Sequence, residues 1–235
     1  MIVKSKTVVI ATRNKNKMKE MLAILSGSCP VRNKSRHRRG CRHALRAGRI
    51  SNGVKLNFKM LTDFEGIPEI REDGKTLKAN ALKKAGMVSR VTGCWALADD
   101  TGLEVEYLNG RPGVFSARYA GPGCSYEDNC RKLLKQLANA DIGSRKAVFK
   151  CVIALVSPAG RAVAVQGILQ GKITLKPAGQ NGFGYDPVFM PDGFKKTLAQ
   201  MSLKQKNSIS HRADALRKIA PYLLSSVKTL KENET

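Results

Sequence analysis

The 235-residue chain has no run of about 18 apolar residues, so no membrane-spanning helix is expected. Its start, Met1-Ile2-Val3-Lys4-Ser5-Lys6, lacks the long apolar core and small-residue cleavage site of a secretory signal. None of its six cysteines, Cys29, Cys41, Cys94, Cys124, Cys130 and Cys151, forms a C-x-x-C pair. That excludes a dense disulfide framework and points to free thiols in a reducing compartment, with the cytoplasm as the default. Internal repeats are lacking too. So is any Asp or Glu between Glu20 and Asp63, while nine Lys and Arg lie from Arg32 to Lys55. Much of the net charge of +24 therefore sits in one segment. Residues 28–52 show neither apolar period and read as a basic, disordered insertion. A nucleic-acid-binding arm is the alternative. Cys29, His37, Cys41 and His43 there fit no usual zinc finger.

The remaining chain, 42% hydrophobic overall, holds enough apolar residues for a core. Thr7–Ala11 is a short β-branched run that reads as a buried strand. A polar loop, residues 12–17, separates it from a helix whose face carries Met21, Leu22 and Leu25. Val54–Phe58 alternates as a strand. Thr76–Val91 carries Leu77, Ala81, Ala85 and Val88 on one stripe, with Gly93 beyond, and reads as a helix. Trp95–Ala98 and Leu103–Leu108 read as two strands around an Asp99-Asp100-Thr101-Gly102 turn. Ser125 with Asp128 is a capping box for a helix to about Ala138. Ala147–Val156 and Ala162–Leu169 form a hairpin across residues 157–160. The final helix begins at Ser210, and Pro221 is expected to kink or split it. Irregular alternation of helices and strands, with a hairpin in the middle, predicts an α/β fold with a mixed sheet.

Four patches carry chemistry. Thr12-Arg13-Asn14-Lys15-Asn16-Lys17 places a hydroxyl, an amide and a lysine at a helix N-terminus, which suits a triphosphate or, more plainly, a capped turn. Asp99 and Asp100 can ligate Mg²⁺ or activate water, or cap a turn. Gly182-Phe183-Gly184-Tyr185-Asp186-Pro187 offers rings and a carboxylate on a loop with two glycines, able to stack on a base or to pack into the core. Lys206 to Arg212 adds Lys206, His211 and Arg212, either a phosphate and base contact or a solvated helix start capped by Ser210.

Together with VVIATRNKNKMKE (8–20), IPEIREDGKTLKANALKKA (67–85), ALADDTGLEVEYLNGRPGVFSARYAG (96–121), NGFGYDPVF (181–189) and KNSISHRADAL (206–216), these stretches resemble the inosine triphosphate pyrophosphatase family, also called non-standard purine NTP or dITP/XTP pyrophosphatases. The resemblance covers nearly everything outside residues 28–52. It implies one elongated mixed α/β domain over 1–235, its central sheet flanked by helices, with the site in a cleft between two lobes. It also implies a homodimer that uses Mg²⁺ to split the α–β phosphoanhydride of ITP, dITP and XTP.

By matching position, Thr12, Asn14 and Lys17 would bind phosphates. Asp100 would hold Mg²⁺ and activate water, with Asp99 supporting it. Thr101 stands where serine is usual. Phe183, Gly184, Tyr185 and Asp186 would form the base pocket, and Lys206, His211 and Arg212 would complete the substrate site. Three departures stand out. Arg71-Glu72 replaces paired acids and predicts a cation beside the metal. Ala79 replaces a glutamate, and the basic segment interrupts the first lobe. Glu72 is the substitute ligand. These departures give the rival expectation of a weakly catalytic paralogue that binds nucleotides or RNA through the basic segment.

Overall fold

The structure, a computed structural model, describes residues 5–25 and 55–228. The basic segment 28–52, and with it the nucleic-acid arm and the zinc reading, lies outside the described residues. Val54 lies outside them as well.

Twelve helices and strands position the site. They are β1 (Ser5–Ile10), α1 (Lys15–Leu25), β2 (Lys55–Met60), α2 (Leu77–Thr92), β3 (Trp95–Val105), β4 (Pro112–Gly113), α3 (Tyr126–Gln136), β5 (Lys146–Val156), β6 (Ala162–Ile173), β7 (Phe189–Pro191), α4 (Leu203–Ile209) and α5 (His211–Lys228). The strands form one mixed sheet in the order β2-β1-β3-β5-β6-β7, with β4 paired to β3. β1 runs parallel to β2 and β3, whereas β3, β5, β6 and β7 pair antiparallel. Helices flank the sheet, as expected for a mixed α/β fold.

Side chains alternate along each strand, so the sheet carries two cores. Val8, Ile10, Leu97, Ile153 and Leu155 pack with Met21, Ile24 and Leu25 of α1 and Leu216, Ile219 and Leu223 of α5. Val9, Ala11, Ala96, Ala98, Val152 and Ala154 pack under Ala81, Ala85 and Val88 of α2. Beyond Thr101 the long strands β3 and β5 run on into a third cluster, with Leu103, Val105, Phe149, Leu133, Tyr185 and Phe189. The site cavity lies against this third cluster, where Leu103, Phe149 and Tyr185 line it.

Four sequence expectations need correction. Residues 95–105 are one strand, not two around a turn. Asp99, Asp100, Thr101 and Gly102 pair in register with Ile153, Val152, Cys151 and Lys150 of β5. Two adjacent carboxylates survive in a strand because cations meet them from both faces, as described below. Gly102 is required there by sterics, since a Cβ would lie 2.6 Å from the Gly113 carbonyl oxygen. Secondly, Ser210 does cap the start of α5, its Oγ accepting from the Ala213 N–H at 3.2 Å while its backbone ends α4, but this helix start is not solvated, because Lys206, His211 and Arg212 are all buried. Thirdly, α5 continues through Pro221 without splitting. α1 also starts earlier than its apolar face suggests, at Lys15.

Candidate active site

The loop after β1 is fixed by its own side chains. Thr12 Oγ1 accepts from the Asn14 N–H at 3.2 Å, and Asn14 Oδ1 accepts from the N–H groups of Asn16 and Lys17 at 3.0 and 3.1 Å. Asn14 is thus the N-cap that starts α1. Its Nδ2 donates to the hydroxyl of Tyr126 at 2.8 Å. Lys17, one turn into the helix, reaches Asp99 Oδ2 at 3.2 Å.

Strand periodicity sends the paired carboxylates to opposite faces. Asp99 faces α1 and α5, where Arg212 Nη2 donates to its Oδ2 at 3.0 Å and Thr101 Oγ1 lies at 3.2 Å. Burial opposes ionisation of Asp99, but Lys17, Arg212 and Lys84 outweigh it and hold the carboxyl far below the usual range. Asp100 faces α2. Asn80 Nδ2 donates to its Oδ2 at 3.0 Å, and Lys84 Nζ stands 3.5 Å from its Oδ1. Burial raises its pKa, with Glu72 adding to the effect and Lys84 opposing it. Lys84 also bonds Glu72 at 2.6 Å and the Asp99 carbonyl oxygen at 2.6 Å. Burial works against its charge, yet Asp99, Asp100 and Glu72 raise its pKa overall.

The loop that carries Gly182 and Gly184 is shaped by its own contacts. Gly182 has φ +76°, and a Cβ there would lie 2.0 Å from Asp186 Oδ2. That carboxylate accepts from the Phe183 N–H at 2.8 Å and pairs with Lys206. Tyr185 is buried and donates to the Ser116 carbonyl oxygen at 2.9 Å, so it belongs to the core and the cavity floor together. Phe183 projects toward the cations, its ring centroid 4.7 Å from Lys206 Nζ and 5.7 Å from the Arg212 guanidinium carbon.

Lys206 Nζ lies 2.6 Å from Glu20, and Arg212 pairs with Glu20 through Nη1. His211 stacks on Phe149 at 4.6 Å, with the planes 13° apart. Burial first, then Arg212 and Lys206, push its pKa well below the ordinary value, so the imidazole is neutral. Its Nδ1 is buried without a partner. Gly167 lets α5 approach β6, since a Cβ would lie 2.1 Å from the His211 carbonyl oxygen.

One cavity of about 100 Å³ gathers Asn14, Lys17, Glu72, Asp100, Thr101, Phe183, Gly184, Tyr185, Asp186, Lys206, His211 and Arg212. Thr12 and Asp99 do not line it. Thr12 braces Asn14, and Asp99 sits beneath, anchoring Lys17 and Arg212. Sequence reasoning missed Glu20, Asn80, Lys84, Phe149 and Tyr126. Glu20 lies three residues after Lys17, and Asn80 and Lys84 lie four apart, so helical spacing was an available signal. Tyr126 had none. Arg71 is exposed, contrary to the cation expected beside the metal. The cation buried next to the carboxylates is Lys84.

Formal charges divide the floor. Glu20, Asp99 and Asp186 balance Lys17, Lys206 and Arg212, three against three. Glu72 and Asp100 outnumber Lys84 by one. This corner fits a divalent ion, because Mg²⁺ takes one or two carboxylates and completes its shell with phosphate oxygens and water. No cluster of three or more His, Cys, Asp or Glu side chains occurs among the described residues, so protein donors alone would not fill such a shell.

Residues 8–222 match the Ham1 family. The chain is 41% identical to a dITP/XTP pyrophosphatase of Geobacter sulfurreducens over 216 residues, covering 92% of this chain and 96% of that protein. It is 49% identical to a dITP/XTP pyrophosphatase of Thermoanaerobacter pseudethanolicus over 176 residues, covering 75% and 88%. Among solved structures, the Staphylococcus aureus Ham1 protein superposes with a TM-score of 0.74 at 32% identity, covering 94% of this chain and all of that one. The chain belongs to the Ham1 family.

Proposed function

We propose that this Ham1-family chain hydrolyses non-standard purine nucleoside triphosphates, ITP, dITP and XTP, at the α–β phosphoanhydride. The products are the nucleoside monophosphate and pyrophosphate, and deaminated purines leave the nucleotide pool. The observation that carries this reading is a single cavity that joins a carboxylate corner to a charge-paired floor of Lys17 and the buried Lys206 and Arg212 through one aromatic loop. A relative's activity as a dITP/XTP pyrophosphatase supports it.

Lys17 and the Asn14 amide are placed to bind phosphate oxygens at the start of α1. Asp100, raised in pKa and held by Asn80, orients and deprotonates the attacking water. Lys84, behind the cavity wall, lets Asp100 and Glu72 stand close together as charges. Glu72 and Asp100 would hold Mg²⁺, which supplies charge neutralisation of the phosphates. Asp99 is a positioning residue that fixes Lys17 and Arg212.

Base selection falls to the floor. Inosine and xanthine carry a 6-oxo acceptor where adenine has an amine. Lys206 and Arg212 offer only donors, and the unpartnered Nδ1 of neutral His211 can serve as donor to the oxo group in one tautomer. An adenine amine would leave buried donors facing a donor, the kind of mismatch that costs a site most. Mg²⁺ dependence, a homodimer and a cytoplasmic location are parts of the same reading.

The test is pyrophosphate release from ITP, XTP, ATP and GTP at graded Mg²⁺. Preference for ITP and XTP, with a metal requirement, is expected. Equal turnover of ATP and GTP would defeat it.

A further inference from the structure

We infer that Tyr126 is the second wall of the purine site, closing on the base from the face opposite Phe183. This rests on the nucleotide reading above. Tyr126 is the first residue of α3, and its position is set by a capping box. Ser125 Oγ accepts from the Asp128 N–H at 3.1 Å, and Asp128 Oδ2 accepts from the Ser125 N–H at 3.0 Å. The backbone at the rim is therefore fixed, while the side chain reaches over the cavity. Tyr126 is 40% exposed and belongs to none of the three cores.

Two contacts hold it. Its hydroxyl accepts from Asn14 Nδ2 at 2.8 Å, and its ring centroid lies 5.9 Å from that of Phe183, with the planes 47° apart. Tyr126 is strung between the phosphate loop and the base loop. A planar base between two rings needs about 7 Å, two contacts of about 3.5 Å each. The present gap is short by roughly 1 Å and tilted, and the cavity of about 100 Å³ is well below the roughly 300 Å³ where small-molecule pockets begin. The rings must part slightly and level for a purine to enter. The cost on the Tyr126 side is one hydrogen bond at a solvent-exposed rim. Breaking it frees Asn14 Nδ2, a donor at the loop assigned to the triphosphate, so base entry and the arming of that loop are one movement.

Stacking tolerates any base, because each has a π-face. Tyr126 therefore adds affinity for the purine and leaves the choice between oxo and amino groups to Lys206, His211 and Arg212. Tyr126→Ala should raise KM for ITP and XTP alike, and the inhibition constant of inosine monophosphate, by roughly ten- to a hundredfold with kcat little changed. Inhibition by tripolyphosphate, which has no base, should not weaken, since the Asn14 amide stays available to it. Tyr126→Phe keeps the ring and should retain most of the affinity. Unchanged inosine monophosphate binding in Tyr126→Ala overturns the inference. So does a Tyr126→Phe variant as impaired as Tyr126→Ala with tripolyphosphate weakened too, since the residue would then act only by holding Asn14. If the wild-type chain released no pyrophosphate from ITP, the parent reading would fall, a result visible before any variant is made.

Discussion

Two neighbouring aspartates should respond in opposite ways to the same isosteric change. Asp99→Asn removes the carboxylate that holds Lys17 at 3.2 Å and Arg212 at 3.0 Å, all of it buried. Arg212 keeps Glu20, but Lys17 loses its ion pair. Removing one side of a buried ion pair costs about 3 kcal/mol or more. For a chain of this size that lowers Tm by about 6–12 °C. Asp100→Asn behaves differently. The folded state raises the pKa of Asp100 above its ordinary value, so the charged form is disfavoured by folding and contributes least where it is ionised. An amide escapes burial of charge and repulsion from Glu72, and it can still accept from Asn80 at the cost of the Lys84 attraction. Its Tm should therefore equal or exceed that of the wild type, within about 1 kcal/mol. Activity inverts the order. Asp100→Asn should lose at least about a hundredfold in kcat through the missing base. Asp99→Asn should lose activity through displaced Lys17 and Arg212, mostly in KM. Thermal melts at pH 7 and pyrophosphate release measure both. Equal destabilisation by the two changes would refute the assignment of one carboxylate to structure and the other to chemistry.

Glu72→Gln should raise the Mg²⁺ concentration for half-maximal ITP turnover and leave Tm nearly unchanged; superimposable metal titrations would remove Glu72 from the metal corner. Gly167→Ala puts a Cβ 2.1–2.3 Å from backbone atoms of His211 and Ala215 and should cost about 1–3 kcal/mol while raising KM, as calorimetry and kinetics on one preparation can check. Gly86→Ala, with nothing within 4 Å inside α2, should instead stabilise by about 0.5–1 kcal/mol. In acid, His211 has a folded pKa below its unfolded value, so the unfolded state takes up the proton first. Stability should fall as pH drops below about 6.5, and His211→Phe should flatten that limb of the Tm–pH curve. Asp99, also depressed, contributes stability above about 3.8 that is lost only below it, so the two windows separate.

Local pattern carried much of this fold. The apolar stripe of α2, with Thr76 and Gly93 at its ends, and the Ser125–Asp128 capping box were legible because their signals lie within a few residues. The mixed sheet followed from the irregular order of elements. β3 was misread because adjacent carboxylates look like a turn until the cations of α1, α2 and α5 are in place, and those arrive from positions 17, 84 and 212. The burial of Lys206 and Arg212 was equally hidden, since Glu20, which pairs with both, lies nearly two hundred residues away in sequence. Most of the proposed substrate residues were found by resemblance, and the structure brings them to one cavity apart from Thr12 and Asp99. Tyr126 was not found, because a lone tyrosine at a helix start carries no pattern.

The cleavage position is the most direct measurement of the central claim. Phosphorus NMR of ITP incubated with the wild-type chain and Mg²⁺ should show pyrophosphate and inosine monophosphate accumulating in equal amounts, and Asp100→Asn should leave ITP intact. Inosine diphosphate with inorganic phosphate as the first products, or undiminished turnover by Asp100→Asn, would contradict the account.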